Sequence, residues 1–264
     1  MNEDNNNIKY SNNFLAQVIM RIDFTDFIDT SLLFSSDILA TIRANYTRQS
    51  IPIKTDFNSL NINIPKEQKD NPIIERDIQS GISVEFIDAS MKNKVTLSNK
   101  FVIFEFNQYK SFKNSYETIS AIIQKIFSKI TTNTQRIGLR YVNIFEQDKI
   151  KISKNLFKAP INSSIYYKDN RSILDKYQLA RAMSLIEYFY DNTILNIRYG
   201  FYNPEYPSTL NKNNYVIDFD YYTQEQIHEN KQILIFLENG HAAIQNVFES
   251  IITDKLREKM NINK

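Results

Sequence analysis

The chain switches repeatedly between two hydrophobic periods, and this switching constrains its fold more than any other feature. Three short segments rich in β-branched and aromatic residues, 82–89, 94–98 and 101–108, are separated by turn-compatible residues. They predict antiparallel strands joined as hairpins. In residues 112–130 the apolar side chains recur every three or four residues, which predicts a helix with one buried face. Strands followed in this way by a helix indicate an α+β fold.

The same order of elements returns in the second part of the chain. We therefore expect two similar halves, residues 1–146 and 147–264. Each would be a curved antiparallel sheet, made of a strand, a variable segment and three further strands, and backed by a helix. The predicted strands of the second half are 179–190, 193–202 and 215–222, and the predicted long C-terminal helix is 225–259.

The first half contains three further predictable segments. Residues 14–24 are rich in β-formers and predict the first strand. Residues 35–46 begin with serines and an aspartate and continue with apolar residues at helical spacing, which predicts a helix. Residues 50–80 hold three of the six prolines, so we expect an irregular segment there.

The mid-chain strand RIGLRYVNIFE, residues 136–146, places Val142 and Ile144 on the face that begins with arginines. A strand that is covered on both faces loses its alternation of apolar and polar residues. We therefore expect residues 142–145 to lie in an interface between the halves, covered on both faces. Asn143 would then be a buried amide that needs partners, because leaving it unpaired costs about 1–3 kcal/mol.

Composition excludes several classes of function. The chain of 264 residues has no cysteine, which excludes disulfides, thiol nucleophiles and thiolate metal sites. Its four glycines lie far apart, whereas a phosphate-cradling loop needs several close together, so Walker, Rossmann and kinase-type nucleotide sites are excluded. With 32 basic and 30 acidic residues, no global field would hold duplex nucleic acid or an anionic membrane. A polar N-terminus and the lack of a long apolar run predict a cytoplasmic protein with no membrane partner.

Two aspartates in the segment YVIDFDYY are candidates for chemistry. Asp218 and Asp220 point to the same face of a strand, roughly 7 Å apart. That spacing suits joint contact with a hard cation or general acid/base work. The alternative is a solvated sheet face on which each aspartate pairs with a neighbouring arginine. No partner motif with a third carboxylate is visible, so we assign no metal ligand and no catalytic residue.

Polar side chains of neighbouring strands are expected to share one water-facing sheet surface. Arginine beside tyrosine on an open sheet is a common way to hold a nucleotide or single-stranded nucleic acid. The alternative is a set of cross-strand ion pairs worth roughly 0–1 kcal/mol each. The predicted ligand- or partner-binding residues, called the Arg/Tyr/Asp surface below, are Arg136, Arg140, Asn196, Arg198, Tyr202, Asp218 and Asp220.

The two histidines do not suggest a metal site. His241 lies on the apolar stripe of the last helix, so we expect a core residue that donates one ring hydrogen bond. His228 has polar neighbours and is expected to be exposed. Two histidines at this separation, without cysteine, do not have the spacing of a zinc site.

Three blocks of sequence carry a resemblance to a family. They are RIGLRYVN at 136–143, YVIDFD at 215–220 and GHAAIQNVFESIITDKLREKM at 240–260. In these blocks the chain resembles a sporadically distributed family of uncharacterised bacterial proteins of about this length. Gln17 departs from the resemblance, because the family would have an acidic residue there. The resemblance implies no activity, and the patchy distribution of the family points towards accessory or antiphage-defence genes.

The sequence favours a non-enzymatic binding or regulatory protein. Its Arg/Tyr/Asp surface, or the groove between the halves, would bind a protein partner or a nucleotide-like ligand, and no cofactor is expected. Through the resemblance, it would be an accessory of a bacterial defence system. Two alternatives stay open: a metal-dependent phosphodiesterase or nuclease that uses Asp218 and Asp220, and a binder of single-stranded nucleic acid.

Overall fold

A computed structural model describes residues 9–63, 73–165, 179–209, 214–260 and 262–263. The strands are β1 Lys9–Tyr10, β2 Leu15–Phe24, β3 Arg48–Gln49, β4 Ile53–Asn63, β5 Ile73–Ile87, β6 Asn93–Ser98, β7 Phe101–Phe106, β8 Thr134–Phe145, β9 Ala182–Tyr190, β10 Thr193–Phe201, β11 Tyr215–Thr223 and β12 Ile262–Asn263. The α-helices are α1 Thr30–Leu33, α2 Ser36–Arg43, α3 Phe112–Phe127, α4 Asn230–Ile251 and α5 Asp254–Met260. Within the described ranges, two short 3₁₀ helices span Lys154–Leu156 and Ile161–Ile165.

In the described part of the chain, ten strands form one antiparallel sheet with β8 near its centre. The order across the sheet is β3, β5, β6, β7, β2, β8, β11, β10 and β9, and β4 also pairs with β5. Strands β1 and β12 form a separate two-stranded pair. The prediction of a mixed fold with a large antiparallel sheet and a C-terminal helix is therefore confirmed. The division into two similar halves stays a prediction, and the strands assigned to them are continuous in this one sheet.

Alternation along the strands gives the sheet two different faces. In β7 the buried side chains are Val102, Phe104 and Phe106, while the side chains between them are only partly buried. The buried side chains face the core, together with the stripe of α3 that contains Ile119 and Ile123. We call the other side, which carries the charged residues of β2, β8, β10 and β11, the open face.

The local sequence explains where some of these strands and helices begin and end. At Asp191 and Asn192 the φ angles are +45° and +59°, the left-handed conformation that a two-residue type I′ turn requires between β9 and β10. Ser111 caps α3, because its side chain accepts a hydrogen bond from the backbone N–H of Asn114. Both signals are local, so the hairpin and the helix start agree with the sequence.

Two predictions about whole segments are wrong. Residues 50–80 are not irregular, because β4 and β5 form a long antiparallel pair there. Pro52 precedes β4, and Pro65 and Pro72 lie outside the described residues, so proline does not interrupt either strand. The last helix begins later than predicted and is broken at Ile252 into α4 and α5.

The end of β8 is covered on one face only. Val142 and Ile144 are half-buried, so the expected cover on both faces is wrong. Asn143 points to the core side, where it is buried and its Nδ2 donates to the carbonyl of Ile217 at 3.3 Å. The predicted buried, paired amide is confirmed, and the alternation of β8 continues to Phe145.

None of the helices in the described ranges combines the length and the apolar character that a bilayer crossing needs.

Candidate functional site

The strand register brings most of the Arg/Tyr/Asp surface together on the open face. Arg140 lies opposite Asp220, and Asp220 lies opposite Asn196 on the next strand. Arg198 lies opposite Asp218 in the same way. Residues directly opposite each other in an antiparallel pair point to the same face. Arg136, four residues before Arg140 on β8, and the exposed Tyr202, just beyond the end of β10, complete the set.

Asp218 is the most buried charge of this surface. Its side chain is 5% exposed, and it accepts two hydrogen bonds from Arg140, one from Nε at 2.7 Å and one from Nη2 at 2.8 Å. Arg198 Nη1 contributes a third, longer contact at 3.4 Å. The hydrogen bond to Asp218 raises the pKa of the Arg140 guanidinium above its ordinary value. Both carboxylate oxygens are thus engaged within the surface.

Ion pairs of the same kind continue across the open face. Arg136 Nη2 donates to Asp220 at 3.1 Å, and its guanidinium lies 4.6 Å from the centre of the Tyr222 ring. On β2, Arg21 pairs with Asp23 at 2.6 Å. Further along the sheet, Lys94 contacts Glu85 and Glu105, each at 2.9 Å. The alternative of cross-strand ion pairs is therefore what the geometry of the surface shows.

The same contacts affect whether Asp218 and Asp220 are available to bind a metal ion. Among the described residues, no cluster of three or more histidine, aspartate or glutamate side chains is placed to hold a cation. Asp218 and Asp220 each face a guanidinium group, which competes with a cation for the carboxylate oxygens.

A second region, on the core side of the sheet, contains unfilled space. A cavity of about 790 Å³ lies between the first turn of α3, the face of α4 that carries His241 and Ile244, the start of β2 and the middle of β8. We call it the central groove. Its apolar wall consists of Phe14, Phe112, Phe219, Ile244, Phe248 and Met260.

A hydrogen-bonded chain of side chains leads into the central groove. The Tyr109 and Tyr141 hydroxyls are 3.0 Å apart, and the Tyr141 hydroxyl lies 2.8 Å from His241 Nδ1. The imidazole of His241 stacks on the Phe112 ring, with 4.2 Å between centres and 2° between planes. These four side chains come from α3, its preceding loop, β8 and α4, so the groove depends on the packing of all of them.

Burial controls the protonation of these hydrogen-bonded side chains. It lowers the pKa of His241 from 6.5 to about 4, so the imidazole is neutral at pH 7. Burial also raises the pKa of Tyr141 and Tyr109 well above the ordinary value, which keeps both hydroxyls protonated. If Nδ1 accepts from Tyr141, the second ring nitrogen of His241 carries the proton and can donate.

Charged side chains surround the mouth of the central groove. Lys110 and Lys113 are exposed and flank the N-terminus of α3, which presents backbone N–H groups and the positive end of the helix dipole. Burial raises the pKa of Tyr116 to about 12, together with the hydrogen bond that its hydroxyl donates to Glu238. Deeper in, Glu249 is held by Arg257 Nε at 2.9 Å. The two lysines are therefore the cations with most freedom to meet a ligand.

Sequence reasoning predicted the residues of the charged surface, but for the groove between the halves it identified none of the residues that line the central groove. His241 has a ring hydrogen bond with the Tyr141 hydroxyl, but its direction depends on the tautomer, so the predicted donation by the imidazole stays a prediction. The histidine is only partly buried and lines a cavity, so it is not the closed core residue that we expected. His228 is exposed, as predicted. No local pattern identified Tyr109 and Tyr141 as site residues, because the groove joins positions far apart in the chain. The sequence near the start of α3, with Lys110, Phe112 and Lys113, was the feature from which a binding site could have been predicted.

No protein-family model and no curated protein matches the chain. Membership of the bacterial family that the three sequence blocks resemble therefore stays a prediction.

Proposed function

We propose that the chain is a non-enzymatic binding protein whose central groove holds a planar aromatic ligand with an acidic group, of nucleotide-like size. The observation that supports this most directly is the stacked pair of Phe112 and His241 at the edge of a cavity of about 790 Å³. Binding sites for small molecules are concave, mainly apolar and roughly 300–1,000 Å³ in volume.

The polar groups of the groove suit such a ligand. A flat ring would lie against the apolar wall or extend the Phe112–His241 stack, with the second imidazole nitrogen of His241 as a hydrogen-bond donor. An acidic group would be met by Lys110, Lys113 and the N-terminus of α3, since helix N-termini favour anions. Recognition would then combine stacking inside the groove with charge at its mouth.

The same site is poorly suited to acid–base catalysis. A general acid or base works best when its pKa lies near the working pH. Burial places the pKa of His241 at about 4 and those of Tyr109 and Tyr141 far above 7. Near neutral pH these groups keep their protonation states, which favours binding over proton transfer.

A matched pair of variants tests the proposal. Nucleoside monophosphates and aromatic carboxylates are screened by thermal shift, and any compound that stabilises the chain is then titrated by calorimetry. Tyr141→Phe removes the hydroxyl that orients His241, and we expect affinity to fall roughly tenfold, which corresponds to about 1.4 kcal/mol. Tyr222→Phe makes the same chemical change on the open face and should leave affinity unchanged. Equal losses in the two variants, or no stabilising compound in the screen, would contradict the proposal.

The finer architecture is part of the proposal. We infer that the central groove lies between two related halves, since α3 and α4 are the helices that close the predicted first and second halves. Within the sheet, the order β5, β6, β7, β2 mirrors the order β9, β10, β11, β8, which supports two related halves. This correspondence assigns β8 to the second half, so the proposed boundary lies before β8 and not at residue 146. A cytoplasmic location and a role as an accessory of a bacterial defence system are proposed on the sequence alone.

The Arg/Tyr/Asp surface remains a proposed contact surface for a protein partner. Arg140 and Arg198 are each about 40% exposed, so a partner can reach their outer edges while both still hold Asp218.

The alternative of a metal-dependent phosphodiesterase or nuclease needs Mg²⁺ or Mn²⁺ to displace those arginines. Calorimetric titration with either cation decides this, because absence of heat and of thermal shift would remove the alternative. Binding of single-stranded nucleic acid to the same surface would weaken steeply with salt.

A further inference from the structure

Strand β9 ends the sheet with an unusually apolar outer edge. Among the described residues, no strand pairs with that edge. Leu185 is 59% exposed, Phe189 is 72% exposed and Tyr190 is 80% exposed. Natural edge strands are normally protected by short length, lysine, proline or a bulge. Strand β9 has nine residues, neither lysine nor proline, and Glu187 as its only charge.

We propose that β9 pairs antiparallel with β9 of a second copy of this chain, about a two-fold axis that passes beside Ile186. Pairing would satisfy the backbone N–H and C=O groups of both edges, which otherwise depend on water. It would also cover the exposed apolar side chains of both copies. A second copy fits this edge because the strand complements itself in one register.

The side chains select that register. When the axis lies at Ile186, all nine residues of β9 pair, with Met183 opposite Phe189 and Leu185 opposite Glu187. When the axis lies at Glu187, the two Glu187 carboxylates face each other directly, which destabilises a sheet. When the axis lies at Tyr188, only residues 186–190 of the strand pair with one another. The Ile186 register therefore has the longest overlap and avoids the like-charge pair.

Charge complementarity supports the same register. Within one copy, Leu185 lies opposite Arg198 on β10, and both belong to the open face. In the Ile186 register, Glu187 of the second copy lies next to Leu185, two strands from Arg198, or about 10 Å between their Cα atoms. The Arg198 side chain is 39% exposed, and its contact with Asp218 is long at 3.4 Å. It is therefore free to lean towards the incoming carboxylate.

The pairing would change the Arg/Tyr/Asp surface as well. A two-fold axis perpendicular to the sheet places the open faces of both copies on the same side. The two surfaces would then form one continuous surface with twice the area, which suits a symmetric or repetitive partner. This inference is independent of the ligand proposed for the central groove.

The lack of cysteine in the chain allows a direct test by disulfide trapping. In the proposed register the two residues at position 186 face each other with Cα atoms about 5 Å apart, within the range that a disulfide can span. Under mild oxidation, Ile186→Cys should form disulfide-linked dimers. Glu187→Cys and Tyr188→Cys face Leu185 and Ser184, so they should give less than about a tenth of that yield.

Sedimentation velocity of the unchanged chain supplies the second arm of the test. We expect a dimer that dissociates on dilution, and Phe189→Lys should weaken it at least about tenfold, since lysine protects an edge. A chain that stays monomeric at every concentration would overturn the proposal, as would equal trapping at all three cysteine positions. Preferential trapping at Glu187→Cys or Tyr188→Cys would overturn the register.

Discussion

The open face and the central groove both collect polar side chains, but they use them in opposite ways. On the open face, Asp218 and Asp220 accept hydrogen bonds from arginines of the same surface. In the central groove, the hydrogen-bonded side chains of Tyr141 and His241 border a cavity of about 790 Å³. The comparison shows that a dense set of charged side chains can satisfy its hydrogen bonds and ion pairs internally, without a ligand. A binding site is better indicated by oriented polar groups beside unfilled space.

The largest expected effect concerns pH and the groove. Burial lowers the pKa of His241 from 6.5 to about 4, so the folded state stays neutral where the unfolded chain is protonated. The stabilisation is therefore complete above pH 6.5 and is lost as pH falls towards 4, by up to about 3 kcal/mol. Denaturant unfolding at several pH values measures this loss.

Two variants isolate the contribution of His241. Because Asp29, Asp37 and Asp88 also have lowered pKa values, the unchanged chain must be compared with His241→Gln. In that variant, the free energy of unfolding should fall less between pH 6.5 and 4, because the contribution of His241 is missing. His228→Gln, at an exposed position, should follow the unchanged chain. Identical profiles for His241→Gln and the unchanged chain would show that the imidazole is not buried.

The next effect concerns the ion pairs of the open face. Arg140→Ala should lower the free energy of unfolding by about 2 kcal/mol, because it leaves the nearly buried Asp218 with one long contact. This is below the cost of breaking a fully buried pair, since Arg140 itself is 42% exposed. Chemical denaturation measures the loss.

Arg21→Ala is the matched control for Arg140→Ala. Arg21 has the same 42% exposure, but its partner Asp23 is 14% exposed where Asp218 is 5% exposed. We expect a cost below about 1 kcal/mol, as for ordinary surface pairs. If both variants lose the same stability, burial of the carboxylate does not distinguish the pairs. The surface would then be held less tightly than the contacts indicate.

The smallest expected effect separates packing from protonation in the groove. Phe112→Leu keeps apolar volume but removes the ring that stacks on His241. We expect stability at pH 7 to fall by only about 1 kcal/mol, while the pKa of His241 rises towards its ordinary value as water reaches the ring. Phe127→Leu, the same substitution at the other end of α3, should leave that pKa unchanged, because Phe127 packs against Phe24. A large loss of stability without a shift in pKa would identify Phe112 as a core residue.

Local patterns predicted those parts of the fold that local forces determine. The stripe with Ile119 and Ile123 predicted α3, and the alternation of YVIDFD correctly placed Asp218 and Asp220 on one face. The pairing of Arg140 with Asp218 followed from the same alternation once β8 and β11 were neighbours. The strand β4 was missed because prolines near its ends carried more weight than the alternation at Leu60 and Ile62.

The central groove was beyond such patterns for a physical reason. Tyr141 and His241 are 100 positions apart, and Tyr109 lies 32 positions before Tyr141. Their contacts exist only because α3 and α4 pack over the middle of β8. The stripe that contains His241 predicts that it faces the core, and it contains no information about space left between the helices.

Nuclear magnetic resonance of the two histidines tests the central claim most directly, because His241 and His228 give one imidazole signal set each. We predict that His241 titrates near pH 4 and that its signals shift on addition of a stabilising nucleoside monophosphate or aromatic carboxylate, while those of His228 and the side-chain Nε–H of Arg140 do not. Titration of His241 near 6.5, or ligand shifts at Arg140 without shifts at His241, would contradict the account and place binding on the open face.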